Sequence, residues 1–222
     1  MNQPNIYYTF LSEVSERAFW HYYYTNISEE DRLISERYTM KRLKEYVVGR
    51  ALLKTALRLE IGLDIPFFKL EKNRYGKPFL AEFKGIHFNI SHSEDLIMVT
   101  ISNESAVGLD VELVKNDYLS CLDVMDEVLS FKEIMHIQSL STEEERTFSL
   151  VKQWTKKEAI MKADGRGFSY PLEDLEFCSP NNNYSLINNW WVRTFALEEE
   201  YLVSLASKAC CDYPSIQKLF LT

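Results

Sequence analysis

The order of patterned segments predicts an α+β protein built as two similar halves. Three observations carry that expectation. A helix-like segment followed by strand-like segments occurs before residue 103, and the same order returns after residue 107. With 222 residues and 46% hydrophobic content, the chain can bury one large core or two small ones. No low-complexity linker interrupts it, so the halves are expected as 1–104 and 105–222, meeting near residues 103–107.

The elements follow in order. Residues 31–60 read as helix, broken at most once, with Tyr46, Val47, Ala51, Leu52 and Leu53 as an apolar stripe. Gly62 and Pro66 end it. Tyr75-Gly76-Lys77-Pro78 reads as a turn, and FNISHS and LIMVTIS as strands. In AVGLDVELV, residues 106–114, alternation puts Val107, Leu109, Val111 and Leu113 on one side and Gly108, Asp110 and Glu112 on the other. FKEIMHIQSL has the spacing of an amphipathic helix. EEERTFSLVKQWTKKEAIMKADG reads as a long helix stopped by Gly165 or Gly167. The end is β-rich: LEFCS, an Asn-rich loop NNNYSLINN, then WWVRTFA and YLVSLAS, with one of Trp190 and Trp191 facing the core.

Bulk properties exclude several classes. A net charge of −8 and a pI near 5.2 argue against general binding of nucleic acid or anionic membranes. Four cysteines without a CxxC, no signal peptide in MNQPNIYYTF and no long apolar run point to a reducing cytoplasm. Four histidines without an HxxxH pair argue against zinc.

The chemistry sits in residues that are unremarkable singly. Asp110 and Glu112 share a strand face, which is either solvated or holds a cation. In QWTKKEAIMK, Trp154, Glu158 and Lys162 recur every four residues, and Lys157 lies three after Trp154, so all can share one broad face. Read blandly, that is a surface Glu–Lys pair contributing roughly 0.3–0.5 kcal/mol. Ser91-His92 closes a strand, and Lys77-Pro78 is a turn.

As an ordered set, YGKP, FNISHS, Val107-Gly108-Leu109-Asp110 and Trp154-Thr155-Lys156-Lys157-Glu158-Ala159 resemble the signatures of the Sfp-type 4′-phosphopantetheinyl transferases. The resemblance runs from VVGRALLK to GRGFSYPLEDLEF, and the length fits the long, two-domain type. It implies a pseudo-dimer of two α+β halves with the active site at their interface, and a monomeric protein. It also implies transfer of 4′-phosphopantetheine from coenzyme A to a serine of an apo carrier protein, releasing adenosine 3′,5′-bisphosphate. Mg²⁺, or Mn²⁺, would be held by Asp110, Glu112 and Glu158, with Glu158 or a metal-bound water as base. Lys157 and Lys162 fall where the family contacts the pyrophosphate. Lys77 and Pro78 fall at the nucleotide end, Ser91 and His92 beside a phosphate that would favour protonated His92, and Arg50 within possible reach.

One position departs from the family. Where an arginine commonly precedes the helix glycine by four residues, this chain has Glu45, so Lys41, Arg42 or Lys44 must take over, or the register differs. Carrier recognition is expected through an apolar patch, with Ile134, Met135 and Ile137 as candidates that serve equally well as core. The competing readings are a Mg²⁺-dependent phosphohydrolase or nuclease using the same carboxylates, and a non-catalytic coenzyme A or carrier-binding module.

Overall fold

The computed structural model describes residues 3–62, 70–114, 127–172, 175–177, 182–210 and 214–222. Pro66, Cys121, Cys178 and Cys211 lie outside these residues. In chain order the elements are β1 (Asn5–Phe10), α1 (Glu16–Asn26), α2 (Glu29–Ser35), α3 (Met40–Ile61), β2 (Leu70–Lys72), β3 (Pro78–Leu80), β4 (His87–Ser93), β5 (Leu96–Ser102) and β6 (Val107–Leu113). These are followed by α4 (Phe131–Ser139), α5 (Glu143–Asp164), β7 (Tyr184–Ile187), β8 (Trp190–Leu197), β9 (Tyr201–Ser207) and β10 (Ser215–Lys218).

The two halves repeat one topology. In the first, a strand (β1), a 22-residue helix (α3) and a hairpin (β4, β5) give the spatial order β1-β5-β4. In the second, β6, the 22-residue α5 and the hairpin β8–β9 give β6-β9-β8, the same order. Each four-stranded sheet gains one more strand: β10 pairs parallel to β1, and β7 pairs antiparallel to β8. The last strand thus returns to the sheet that the first strand began.

Strand alternation sorts the core into layers. Tyr7, Ile97, Val99 and Ile101 face Leu52, Leu53 and Ala56 of α3. The opposite faces of the same strands, through Ile6, Tyr8, Leu96 and Met98, pack on Leu109, Val111, Val203 and Leu205 of the second sheet. That sheet's outer face, with Val192 and Ala206, is covered by Ala159, Ile160 and Ala163 of α5. The order is helix, sheet, sheet, helix.

Local chemistry sets the boundaries. The one break allowed in 31–60 falls between α2 and α3, where Thr39 caps α3 by accepting from Arg42 N–H, and Gly62 ends it at φ 65°. Thr142 and Glu145 form a capping box at the start of α5, and Gly165 rather than Gly167 stops it, at φ 86°.

Two expectations are corrected. The Asn-rich stretch is not all loop: Tyr184–Ile187 is a strand, and Asn188 and Asn189, at φ 48° and 62°, make the two-residue turn into β8. Asparagine tolerates the left-handed region that such a hairpin turn requires. Of LEFCS, residues 175–177 form no strand; Leu175 and Phe177 are buried, and Phe177 N–H donates to Glu133 Oε1 (3.1 Å) instead of to a ladder. Trp190 is the buried member of its pair, while Trp191 stacks on Tyr184. Strands β1 and β10 and helix α1 carried no expectation.

Candidate active site

Gly108, Asp110 and Glu112 point from β6 toward α5, not into water. A Cβ on Gly108 would stand 2.1 Å from Ala159 O, so the glycine lets strand and helix backbones touch. That contact carries Asp110 beneath the last turns of α5, where it is 1% exposed. Strand β4 lies alongside β6 and meets it through side chains. Asn89 Oδ1 accepts from Leu109 N–H (2.9 Å) and Ser93 Oγ from Leu113 N–H (3.1 Å), while Ser91 Oγ donates to Asp110 Oδ1 (3.2 Å) and Ser93 Oγ to Glu112 (2.8 Å). The first sheet thus supplies three short polar residues to the site-bearing edge of the second.

Asp110, Glu112, Glu158 and Lys162 come together. Lys162 Nζ lies 2.5 Å from Asp110 Oδ1 and 3.0 Å from Glu158 Oε2, and Ser91 Oγ is 3.1 Å from the same ammonium. Asp110 Oδ2 is buried without a partner. Burial pushes the Asp110 carboxyl well above the usual range, Lys162 opposes this, and Glu158 and Glu112 add to it. Burial also raises Glu112, against the Ser93 hydrogen bond and with Glu158 adding repulsion. Burial works against the Lys162 ammonium, but Asp110 and Glu158 outweigh it and raise its pKa, so it stays charged.

Three carboxylates and an orphaned buried oxygen suit a hard divalent cation in donor chemistry. Among the described residues, however, no group of three such side chains stands gathered for a metal, and Lys162 supplies the positive charge between Asp110 and Glu158.

His92, next to Ser91, faces the other way. Its Nε2 accepts from Arg42 (2.9 Å) and lies 3.8 Å from Glu45 Oε2, which also meets Arg42 at 3.4 Å. Burial lowers the His92 pKa, Glu45 opposes this, and Arg42, Lys162 and Lys41 reinforce it. Glu45 is therefore covered by a cation of its own helix and does not stand open. Of the three replacements considered, Arg42 stands beside His92, Lys41 pairs with Glu94, and Lys44 lines a groove with Trp20 and Met40.

The remaining candidates lie apart from this cluster. Lys157 Nζ is buried, donating to Glu133 Oε2 (2.7 Å) and Val128 O (2.8 Å). It cannot share the face of Glu158 and Lys162: at 100° per residue it lies 100° from the one and 140° from the other, turned toward α4. Arg50 donates to Tyr46 (3.1 Å) and Asp31 (3.4 Å), away from the carboxylates. Lys77 Nζ donates to Ala163 O (2.7 Å) and Val107 O (3.2 Å), tying the β2–β3 hairpin to the end of α5, and burial lowers its pKa to about 8. Pro78 opens β3 beside it. In α4, Ile137 is core and Ile134 packs against it, leaving Met135 and Phe131 exposed.

Comparison with known proteins now bears on this geometry. Residues 106–211 match the profile of the 4′-phosphopantetheinyl transferase superfamily, and residues 15–104 match that of the 4′-phosphopantetheinyl transferase N-terminal region. A 4′-phosphopantetheinyl transferase of Bacillus subtilis is 25% identical over 203 residues, covering 84% of this chain and 87% of the relative. The 4′-phosphopantetheinyl transferase gsp of Aneurinibacillus migulanus is 26% identical over 210 residues, covering 93% and 85%. The human L-aminoadipate-semialdehyde dehydrogenase-phosphopantetheinyl transferase is 26% identical over 164 residues, covering 69% and 53%.

Proposed function

The chain belongs to the 4′-phosphopantetheinyl transferase superfamily, as an enzyme of the Sfp type, and on that premise we propose that it moves phosphopantetheine from coenzyme A to a serine of an apo carrier protein. The observation that carries the reading is the cluster of buried Asp110 with half-buried Glu112, Glu158 and Lys162, beside Ser91.

In this reading the serine oxygen attacks the β-phosphorus of coenzyme A and the bond to the α-phosphate oxygen breaks. Adenosine 3′,5′-bisphosphate leaves with the electron pair. Glu158, half-buried at the cluster's edge, takes the serine proton. Lys162, kept charged by its carboxylate neighbours, neutralises the leaving phosphate. Asp110, Glu112 and Glu158 would hold Mg²⁺ or Mn²⁺, which when bound supplies charge neutralisation at the pyrophosphate. His92 and Arg42 would receive the more distant phosphate, and a phosphate there would favour protonated His92. Lys77 and Pro78 would border the nucleotide end. Ser91 orients Asp110 and Lys162 through its hydroxyl.

For the carrier, the apolar side chains of Phe131, Met135 and Phe148 stay exposed on the half that bears Glu158. A groove lined by Val114, Leu140 and Phe148 continues past the Glu112 end of β6. No helix among the described residues is long and apolar enough to cross a membrane.

The test is intact-mass analysis of apo carrier proteins incubated with the chain, coenzyme A and Mg²⁺, with an EDTA control. A single phosphopantetheine-sized gain that EDTA abolishes is the expected result. Coenzyme A cleavage with no gain on fatty-acid, polyketide or peptide carriers would overturn it in favour of a phosphohydrolase.

A further inference from the structure

Lys157 directly precedes Glu158, yet its ammonium is sealed in the protein about 100° around α5 from it. Its partner, Glu133, has both oxygens engaged. Oε2 accepts from Lys157 (2.7 Å) and from Ser130 N–H (2.8 Å), and Oε1 accepts from Phe177 N–H (3.1 Å). Lys157 donates further to Val128 O. One ion pair therefore joins three pieces of chain: the capped start of α4, the 175–177 segment and the middle of α5. The other sides of the same helical turn are fixed by Gly108 against Ala159, by Thr155 Oγ1 at 3.0 Å from Ser204 Oγ, and by Lys156 donating to Asn182 O (2.9 Å). The Glu158 side faces the site, through Lys162 and Asp110.

We propose that Lys157 is a positioning residue: through Glu133 it fixes the rotation of α5 about its axis, and with it the aim of Glu158. This role rests on Glu158 acting at the reaction centre. An ammonium that loses Glu133 keeps only the neutral Val128 carbonyl and is left buried without a counter-charge, which drives the turn to twist toward water or part from α4. Either motion swings the adjacent Glu158, and small misplacements of a reacting group are costly in rate.

The experiment compares wild type, Lys157→Met, Glu133→Gln and the double variant. It measures steady-state transfer with coenzyme A and an apo carrier, and hydrogen exchange of the α4 amides. Each single change is expected to lower kcat about tenfold or more, leave the KM for coenzyme A within about twofold, and speed α4 exchange about tenfold. The double variant should be no slower than the slower single, because both remove one shared interaction. A raised KM for coenzyme A in Lys157→Met, with Glu133→Gln unchanged, would overturn the proposal and make Lys157 a substrate contact. Unchanged α4 exchange in both variants would overturn it equally. If Lys157→Met does not fold, Glu133→Gln, which keeps an acceptor oxygen, carries the comparison. A wild-type chain that modifies no carrier would sink the transferase reading, while the exchange data would still decide the pair.

Discussion

Gly108 of β6 and Ala163 of α5 lie backbone against backbone, so that a Cβ on the glycine would stand 2.3 Å from the Ala163 nitrogen. The contact sets how deeply Asp110, two residues on, sits beneath Lys162. Because the obstructing atoms are main chain, no side-chain rotation can make room. Gly108→Ala should therefore destabilise by about 1–3 kcal/mol or more, the range for overpacked cores, and should lift α5 from the strand. Thermal denaturation and the transfer assay check this together. A variant with wild-type Tm and wild-type turnover would mean the contact sets neither depth nor chemistry.

The ammonium of Lys162 contacts two carboxylates at once, which makes the cluster separable into charge and shape. Asp110→Asn and Glu158→Gln keep the shape and remove the charge. Both should fold with the near-UV circular dichroism of the wild type and lose transfer by about a hundredfold or more, as when a group stabilising developing charge is removed. Asp110→Ala should abolish transfer as well. Near wild-type turnover in any of the three would remove the carboxylates from the reaction.

Arg42, three residues before Glu45 on the same helix, is the residue we propose for the place of the arginine that the family resemblance expects at Glu45. Its guanidinium meets His92 at 2.9 Å and shields Glu45 at 3.4 Å. Arg42→Ala should raise the KM for coenzyme A about tenfold, one charge-assisted hydrogen bond's worth, and leave kcat near wild type. Initial rates across coenzyme A concentrations decide it, and a fall in kcat alone would place Arg42 elsewhere in the cycle.

Much of this was readable in the residues. Alternation in AVGLDVELV is strict and one face carries the carboxylates, so β6 followed directly, while whether that face met water or held a cation stayed open until α5 was seen to cover Asp110. The stop of α5, read at Gly165 or Gly167, was equally local. What escaped depends on partners distant in sequence. Lys157 and Lys162 look alike within KKEAIMK, and only Glu133, 24 residues upstream, shows which one is buried away from the site. Glu45 is screened by Arg42 of its own helix, but that Arg42 also reaches His92 depends on a strand 50 residues away. Strand β10 pairs with β1 across nearly the whole chain, and residues 215–218 have no alternation strong enough to announce it. The β7–β8 hairpin was the exception: Asn188-Asn189 is a local turn signal, and reading the whole Asn-rich run as loop concealed it.

Lys156, fully buried, donates to Asn182 O and lies over the Phe177 ring at 4.9 Å. Burial, with Lys152 adding repulsion and Glu133 opposing, lowers its pKa to about 7. An unfolded lysine titrates near 10.4. Between these two values the unfolded chain holds a proton that the folded chain has released, so stability rises with pH across the window from about 7 to 10.4. Below the window both states are protonated, and the full cost of burying the ammonium is felt. Going from pH 7 to pH 9, this residue alone should add about 2 kcal/mol. Lys156→Met should remove that gain, so the wild type approaches the variant in stability as pH rises. Urea unfolding of both proteins at pH 7, 8 and 9 tests the sign. A difference between them that is constant over this range would show that Lys156 keeps its ordinary protonation in the folded protein, with the Phe177 ring and the Asn182 carbonyl stabilising the cation where it lies.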